Sequence, residues 1–475
     1  MKNKELYIKA IFWALWSVLV FICVFFIICN AQWLLGDDYM VIQHTGFGKP
    51  FLPTDTVNPS SGRFYPFAYL VYDILLLFGG EQISPTAHYV LQAVFFIIFV
   101  VSATILILKV LEKQKTIWRY SIAFFVITIF IGRVYQQYTE CFSTIWFDYS
   151  LLLMFMLSTL LFYNTQKWIY GIVALVVVNY LCYCLESAFV LPLSFGFCSL
   201  LFQRKALTSR EKVFNWCLVG SAFLFLALYV VFIMPFIESA YDGSHGTDVG
   251  FVGNAVRMLL AQKLLMLAFV LFVVRIVDIV RNNKPYTIYD NLLLTAVACC
   301  CGNFILKLNW TLYYNVSALL LLPSIIHFSI VYLKEKWTIV LVVLLALFYM
   351  RKIPSTIQQN QLGRKEIYSQ MISLSNAIKD ENIVFWYSPQ APDSFETYLR
   401  DWKHAYLCTY LGWLRHNESF SIMKVDEFQK QTNSIWLCPS ENCELFPEDT
   451  QLLDSGDKVF DAGGIQGFYI NDADK

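Results

Sequence analysis

The side chains able to do chemistry are acids and arginines, and they gather in the first 190 positions. Gly36-Asp37-Asp38-Tyr39 sets two carboxylates side by side. Such a pair can supply a general base and a ligand for a metal or a hydrogen bond. Asp is equally suited to start a helix as its N-cap. Ser61-Gly62-Arg63-Phe64-Tyr65-Pro66 follows, with one guanidinium among aromatic rings. Arg pairs with phosphate in bidentate fashion, and an Arg anchored on lipid headgroups has the same signature. In Arg133-Val134-Tyr135-Gln136-Gln137-Tyr138-Thr139-Glu140 a carboxylate again stands among rings, with Trp146 and Asp148 close behind. Rings pack on sugars and acids bind hydroxyls; an aromatic belt at a membrane edge reads the same way. Leu185-Glu186-Ser187 is a lone acid between two apolar runs. It is either a functional group at membrane depth or a solvated turn residue.

A chain of 475 residues must hold these groups in place, and its composition is unusual. It is 57% hydrophobic and 15% charged, with 41 Phe, 28 Tyr and 13 Trp. Soluble domains carry about 25% charge. A disordered chain and a secreted disulfide scaffold are excluded. The balance of 35 Lys+Arg against 35 Asp+Glu also excludes a basic nucleic-acid binder. A polytopic membrane protein remains.

A spanning helix needs about 20 apolar residues. Eleven spans are expected, near 10–30, 87–108, 117–133, 144–163, 168–185, 188–202, 213–236, 263–280, 290–306, 313–333 and 336–352. Residues 65–78 are too short to span, at about 21 Å of helix. Tyr65, Tyr69, Tyr72 and Asp73 share one face, so an amphipathic helix in the outer interface is expected. Pro66 fits its first turn. With that segment not spanning, the basic loop Lys109, Lys113, Lys115, Arg119 falls inside, as positive-inside loops do. The N-terminus is then cytoplasmic, and the acids face outward in the first outer loop, 31–86.

The membrane unit ends near 352, and residues 353–475 read as a small extracytoplasmic α/β domain. Gln358 to Lys379 has helical periodicity, with Leu362, Ile367, Met371, Leu374 and Ile378 apolar. Ile383 to Tyr387 reads as a buried strand, and 434–437, 458–460 and 467–470 as further strands. Most of the thirteen cysteines lie in or beside spans as small apolar residues. Cys299, Cys300 and Cys301 point three ways on a helix and make a poor metal cluster. Cys438 and Cys443 stand in the outer domain, where a disulfide or two free thiols both fit. There is no P-loop, Rossmann glycine pattern or His-Glu-x-x-His.

The order of these features resembles GT-C superfamily glycosyltransferases. A first span leads to an acidic pair in a long outer loop, then a Gly-Arg-Phe-x-Pro segment and a long second span. The resemblance covers residues 10–190, through Asp37, Asp38, Arg63, Tyr65, Pro66 and Glu140. It is nearest to bacterial enzymes that glucosylate O-antigen and related surface polysaccharides. The stretch Cys141 to Tyr149 departs from the Trp-rich, Gly-containing pattern of such relatives, which leaves the donor sugar open.

The resemblance implies a bacterial inner-membrane enzyme with a polyprenyl-phosphate sugar donor. The acceptor is a cell-surface glycan or lipid-linked oligosaccharide, and membrane lipids surround the spans. Asp37 or Asp38 is the general base, and transfer is expected to invert the anomeric centre. Arg63 and Arg133 balance the departing phosphate. Tyr65, Tyr69 and Tyr72 line the lipid-phosphate entry. Glu140 holds sugar hydroxyls or a divalent ion (Mg or Mn), with Asp37 and Asp38 as its other ligands, and Glu186 is a further candidate. A polysaccharide polymerase is the alternative enzyme, but its arginines belong in large central outer loops. A flippase or transporter needs charges within the spans; here these are chiefly Arg275 and Asp278, near the inner end.

Overall fold

The computed structural model describes residues 2–34, 38–78, 80, 82–135, 145–238, 250–261, 263–307, 319–377, 384–387, 404–416, 422–424, 434–439, 457–462 and 465–470. Asp37, Glu140 and Cys443 lie outside these residues, as do the side chains of Arg133, Glu186 and Cys438.

The first half runs through α1 (Lys2–Ile28), a short α2 (Asp38–Gln43), α3 (Pro85–Val110), α4 (Thr116–Tyr135), α5 (Ile145–Thr165), α6 (Trp168–Cys184), α7 (Val190–Phe202) and α8 (Ser209–Phe232). The second half has α9 (Gly250–Ala261), α10 (Lys263–Arg281), α11 (Ile288–Lys307) and α12 (Leu321–Met350). Among the described residues four stretches are long and apolar enough to cross a membrane: Asn3–Ile28, Pro85–Val110, Trp146–Thr165 and Ser209–Phe236. Shorter apolar helices cover Thr116–Gly132, Trp168–Cys184, Ser187–Phe202 and Ile288–Gly302. The helices sit close to the expected positions. Large apolar side chains remain exposed along α1 (Leu6, Ile11, Leu15, Val18, Phe21), as hydrocarbon surroundings allow.

The 31–84 segment lies against the C-terminal ends of α6 and α8 and the N-terminal end of α3, through Phe67–Tyr183, Gly62–Tyr229 and Thr45–His88; the basic loops at Lys109–Arg119 and Arg204–Lys212 join the other ends of α3 and α8. At that basic end polar groups pair off across helices. Thr208 and Glu211 form a capping box: the Thr208 hydroxyl accepts the Glu211 N–H at 3.2 Å and the Glu211 carboxylate accepts the Thr208 N–H at 2.7 Å. Arg275 donates to both oxygens of Asp290, at 2.6 and 2.9 Å, and its ring of partners includes Tyr332 and the Pro285 carbonyl. These charges hold α10, α11 and α12 together, so Arg275 is engaged in packing. Helices α7 and α8 touch at Gly196, where a Cβ would come 2.7 Å from the Asn215 carbonyl oxygen.

Sequence and structure part company at a few places. The helix expected from Tyr65 begins only at Leu70 and is a 3-10 helix, Leu70–Phe78. Before it the chain makes a two-stranded hairpin, β1 (Val57–Asn58) with β2 (Arg63–Phe64). Gly62 turns it at φ +72, with the Tyr229 hydroxyl donating to its carbonyl at 2.9 Å. Pro66 therefore precedes the helix instead of opening it. The boundary expected near 333–336 is a break inside α12, where Lys334 takes φ 61 and ψ 171. Helix α9 was not expected.

Beyond α12 the chain re-enters a helix at once, α13 (Ile353–Ala377), with Pro354 in its first turn. A five-stranded mixed sheet follows from β3 (Val384–Tyr387), β4 (Ile422–Lys424), β5 (Ser434–Pro439), β6 (Asp457–Ala462) and β7 (Ile465–Ile470), in the order β4-β3-β5-β7-β6. β3 is parallel to both β4 and β5; β7 is antiparallel to β5 and β6. Val384–Tyr387, from the expected apolar run, thus occupies an interior strand. Helix α14 (His404–Arg415) packs against α13 and α2.

Candidate active site

The 31–84 segment is tied down at both ends. At its start Asp38 opens α2 and is fully buried. Its Oδ2 accepts the Leu34 N–H at 2.9 Å. Helix α14 covers this corner. Tyr410, in α14, is completely buried, and its phenol is pushed up by burial first and then by the nearby Tyr368 and Asp38. Trp413 stacks edge-on to Trp33 at 5.8 Å and donates to the Gly46 carbonyl at 3.1 Å. Gln82 donates to the Trp413 carbonyl at 3.0 Å.

The middle of the segment is held by carboxylates that accept backbone N–H groups. Asp73 accepts from Phe51 at 2.9 Å and Asp55 from Leu52 at 2.6 Å. Burial raises the Asp73 carboxyl, opposed by the Phe51 N–H and by His44. His44 stacks on Phe51 at 4.3 Å and lies 3.6 Å from Asp55.

Arg63 stands at the far end, half-buried on β2, with its guanidinium 5.5 Å from the centre of the Tyr65 ring. The hairpin leans on α6 and α8 through Phe64, whose ring meets Tyr183, Phe225 and Tyr229. Tyr65 meets Tyr69, Tyr69 meets Phe51, and Phe51 meets Tyr72, at 6.3, 5.6 and 6.1 Å. Tyr72 leads on through His88 to Trp33, at 6.2 and 4.9 Å. A lane of rings therefore joins the Arg63 end to the Asp38 end. Tyr65 and Tyr69 are half-buried, whereas Tyr72 is wholly enclosed and accepts a hydrogen bond from Gln92 at 2.7 Å.

Two further groups stand at this end of the bundle. Asp148 lies, nearly buried, in the first turn of α5, where the helix dipole favours a carboxylate. Arg364 projects from α13 to the end of α1. It is 5% exposed, sits 4.0 Å above the Tyr89 ring, and Nη1 donates to the Ile27 and Cys29 carbonyls at 3.1 and 3.3 Å. It borders a small, water-sized and partly open cavity, lined also by Gln92, Tyr135, Trp146 and Asn360. Arg364 was missed at the level of sequence although a signal was there. It falls seven residues before Met371, on the apolar face of its helix, where a charge is out of place. Among the described residues no group of three His, Cys, Asp or Glu is placed to hold a metal ion.

Two solved structures share this fold over nearly the whole chain. One is ArnT from Cupriavidus metallidurans bound to undecaprenyl phosphate, at 12% identity and a TM-score of 0.51, covering 97% of this chain and 98% of that one. The other is ArnT from the same organism in the apo state, at 10% identity and a TM-score of 0.50 with the same coverage. No family model and no curated protein matches the chain. The chain thus shares the fold of ArnT over nearly its whole length.

Proposed function

We propose that the protein is a glycosyltransferase that takes a sugar from a polyprenyl-phosphate donor and gives it to a cell-surface glycan or lipid-linked acceptor. The observation that carries this reading is a fold shared end to end with a protein solved with undecaprenyl phosphate. In this reading the 31–84 end of the bundle faces outward in the bacterial inner membrane.

Asp37 is the better choice of base. The neighbouring Asp38 is buried and accepts the Leu34 N–H, so its carboxylate is engaged in holding the backbone. A base needs only hydrogen-bond reach to the attacking hydroxyl. The acceptor oxygen then bonds to the anomeric carbon from the face opposite the leaving group. The bond to the phosphate oxygen breaks, that oxygen keeps the electron pair, and the lipid phosphate departs. Arg63, with Arg133, balances its charge. Tyr65 and Tyr69, next to Arg63, border the entry of the lipid phosphate, with the enclosed Tyr72 fixing the floor behind them. Glu140 binds sugar hydroxyls or a divalent ion shared with Asp37, and Glu186 stands by as a further contact. Glucosylation of O-antigen is the subgroup reading, drawn from the resemblance alone.

The test is complementation of a deletion strain with Asp37→Asn, Asp38→Asn and Arg63→Ala, singly, followed by surface-glycan analysis at matched protein levels. Loss of the added sugar in Asp37→Asn and Arg63→Ala is expected. Full retention in all three overturns the assignment.

A further inference from the structure

We propose that His44 and Asp55 form a subsite for one non-acidic hexose ring of the acceptor glycan. The proposal rests on the sugar-transfer reading above, and adds to it the place where the acceptor lies and the class of sugar it carries.

The two side chains are 22% and 24% exposed. Their exposed neighbours are Gln43, Lys49, Pro50, Leu52, Pro53 and Thr54, of which only Leu52 is large and apolar. The exposed apolar cluster of the segment is elsewhere, at Ile74, Leu77 and Phe78. The His44 corner therefore suits water, and a glycan reaches a membrane enzyme through water.

His44 is fixed from beneath. Its ring stacks on the buried Phe51 at 4.3 Å, and its carbonyl accepts the Phe47 and Lys49 N–H groups at 3.0 and 2.9 Å. Nδ1 stands 3.3 Å from the Pro50 carbonyl oxygen and 3.6 Å from Asp55 Oδ2, both acceptors. The proton of the neutral ring therefore belongs on Nδ1, which makes Nε2 an acceptor. Among the described residues no hydrogen bond of His44 uses Nε2. Asp55 is arranged alike: Oδ2 accepts the Leu52 N–H at 2.6 Å, and no bond among the described residues uses Oδ1. Two neighbouring groups thus each keep one acceptor after the other has been used to hold the group still.

Holding the 50–52 turn does not require this histidine. Asp73 and Asp55 already accept the Phe51 and Leu52 N–H groups, and an apolar ring would cover Phe51 equally well. What imidazole adds is a fixed acceptor beside a carboxylate. Adjacent hydroxyls of a hexose are the donors that match such a pair, and the apolar face of a sugar packs on an aromatic ring. Charge narrows the choice of sugar. Asp73 is close enough to feel both His44 and Asp55. Two carboxylates repel a uronate or a phosphorylated sugar and admit a neutral or amino one. Lys49, the cation of this turn, holds Nζ 5.8 Å from the centre of the Phe47 ring. Helix α2, six residues long, sets His44 about 9 Å along from the Asp38 corner, within the length of a short oligosaccharide.

The experiment uses the full chain in lipid nanodiscs, free of sugar-headed detergent, as wild type, His44→Phe and Asp55→Asn. His44→Phe keeps a ring on Phe51 and removes the nitrogens. Asp55→Asn keeps an acceptor for the Leu52 N–H and removes the charge, so it decides the matter if His44→Phe fails to fold. Saturation-transfer NMR and titration measure binding of maltotetraose, the glucosamine tetramer and tetragalacturonate. The wild type is expected to bind the first two, and tetragalacturonate about tenfold more weakly or worse. His44→Phe is expected to weaken the first two about fivefold or more, as for one lost hydrogen bond. Asp55→Asn is expected to weaken the glucosamine tetramer about tenfold, as for a lost charge-assisted bond, and to narrow the gap to tetragalacturonate. Equal affinities in all three proteins, a preference for tetragalacturonate, or a wild type that binds none of the probes overturns the subsite. Complementation with the same wild-type gene separates this from the transfer reading. Restored surface sugar alongside a failed binding result sinks the subsite alone. His44-dependent binding without restored sugar overturns the transferase reading and, with it, the acceptor role of the subsite.

Discussion

The indole N–H of Trp413 donates to the Gly46 carbonyl at 3.1 Å, across 367 residues of sequence. With the Gln82 bond to the Trp413 carbonyl at 3.0 Å, it fastens α14 onto the acidic loop. Trp413→Phe keeps most of the ring and removes the donor. A loss of about 1 kcal/mol is expected, the usual worth of one hydrogen bond. Limited proteolysis of the purified protein should show earlier release of the C-terminal unit in Trp413→Phe; an unchanged digestion profile contradicts the fastening.

Asp37 and Asp38 should separate into a chemical and a structural residue. Asp38→Ala removes the acceptor of the Leu34 N–H from a buried corner, at a cost of about 1–3 kcal/mol. Asp37→Asn is expected to leave the melting temperature unchanged while abolishing sugar transfer. The reverse pattern, with a stable inactive Asp38→Asn and an active Asp37→Asn, reassigns the base.

The Arg275–Asp290 pair tests how the basic end is held. Removing one partner of a buried ion pair typically costs about 3–5 kcal/mol, because the survivor stays charged and unpaired. Asp290→Asn should therefore melt well below wild type. The double variant Arg275→Met with Asp290→Leu should recover much of that loss. A double variant as unstable as the single would show that the partners Tyr332 and Pro285 matter more than the charge pair.

Gly196 and Gly220 lie on neighbouring helices with opposite surroundings. Gly196→Ala drives a methyl group to 2.7 Å from the Asn215 oxygen, so a loss of about 1–3 kcal/mol is expected. Gly220 has nothing within 4 Å of the added carbon. Gly220→Ala should be neutral or stabilise by up to about 1 kcal/mol through helix propensity. Thermal melting in detergent ranks the two, and equal effects would contradict the α7–α8 contact.

Much of the bundle was readable because apolar length and charged interruptions mark helices locally. The helices at 87–108, 168–185 and 263–280 needed nothing but composition. The interior strand Val384–Tyr387 was readable for the same reason. What escaped depends on long-range partners. Tyr72 looked like a wall of an open entry on helical spacing, but Gln92 of α3 encloses it. Residues 65–69 looked helical, yet Gly62 at positive φ and the Tyr229 hydroxyl draw the chain into a hairpin first. Asp38 and Asp37 were indistinguishable as neighbours; burial of one by α14 is what separates them. Arg364 broke the apolar periodicity of its own helix, a local signal whose meaning required the end of α1.

The placement of α14 over Trp33, Asp38 and Gly46 has a consequence for biosynthesis. Gly46 is made 367 residues before Trp413, which covers it. Asp38 cannot reach its buried state until translation has passed Trp413. A nascent chain thus carries an unfinished loop while all the residues between are made. Premature termination anywhere before that point leaves an inserted helical bundle whose acidic corner is never closed, and proteases can tell such a remnant from the finished protein at that corner.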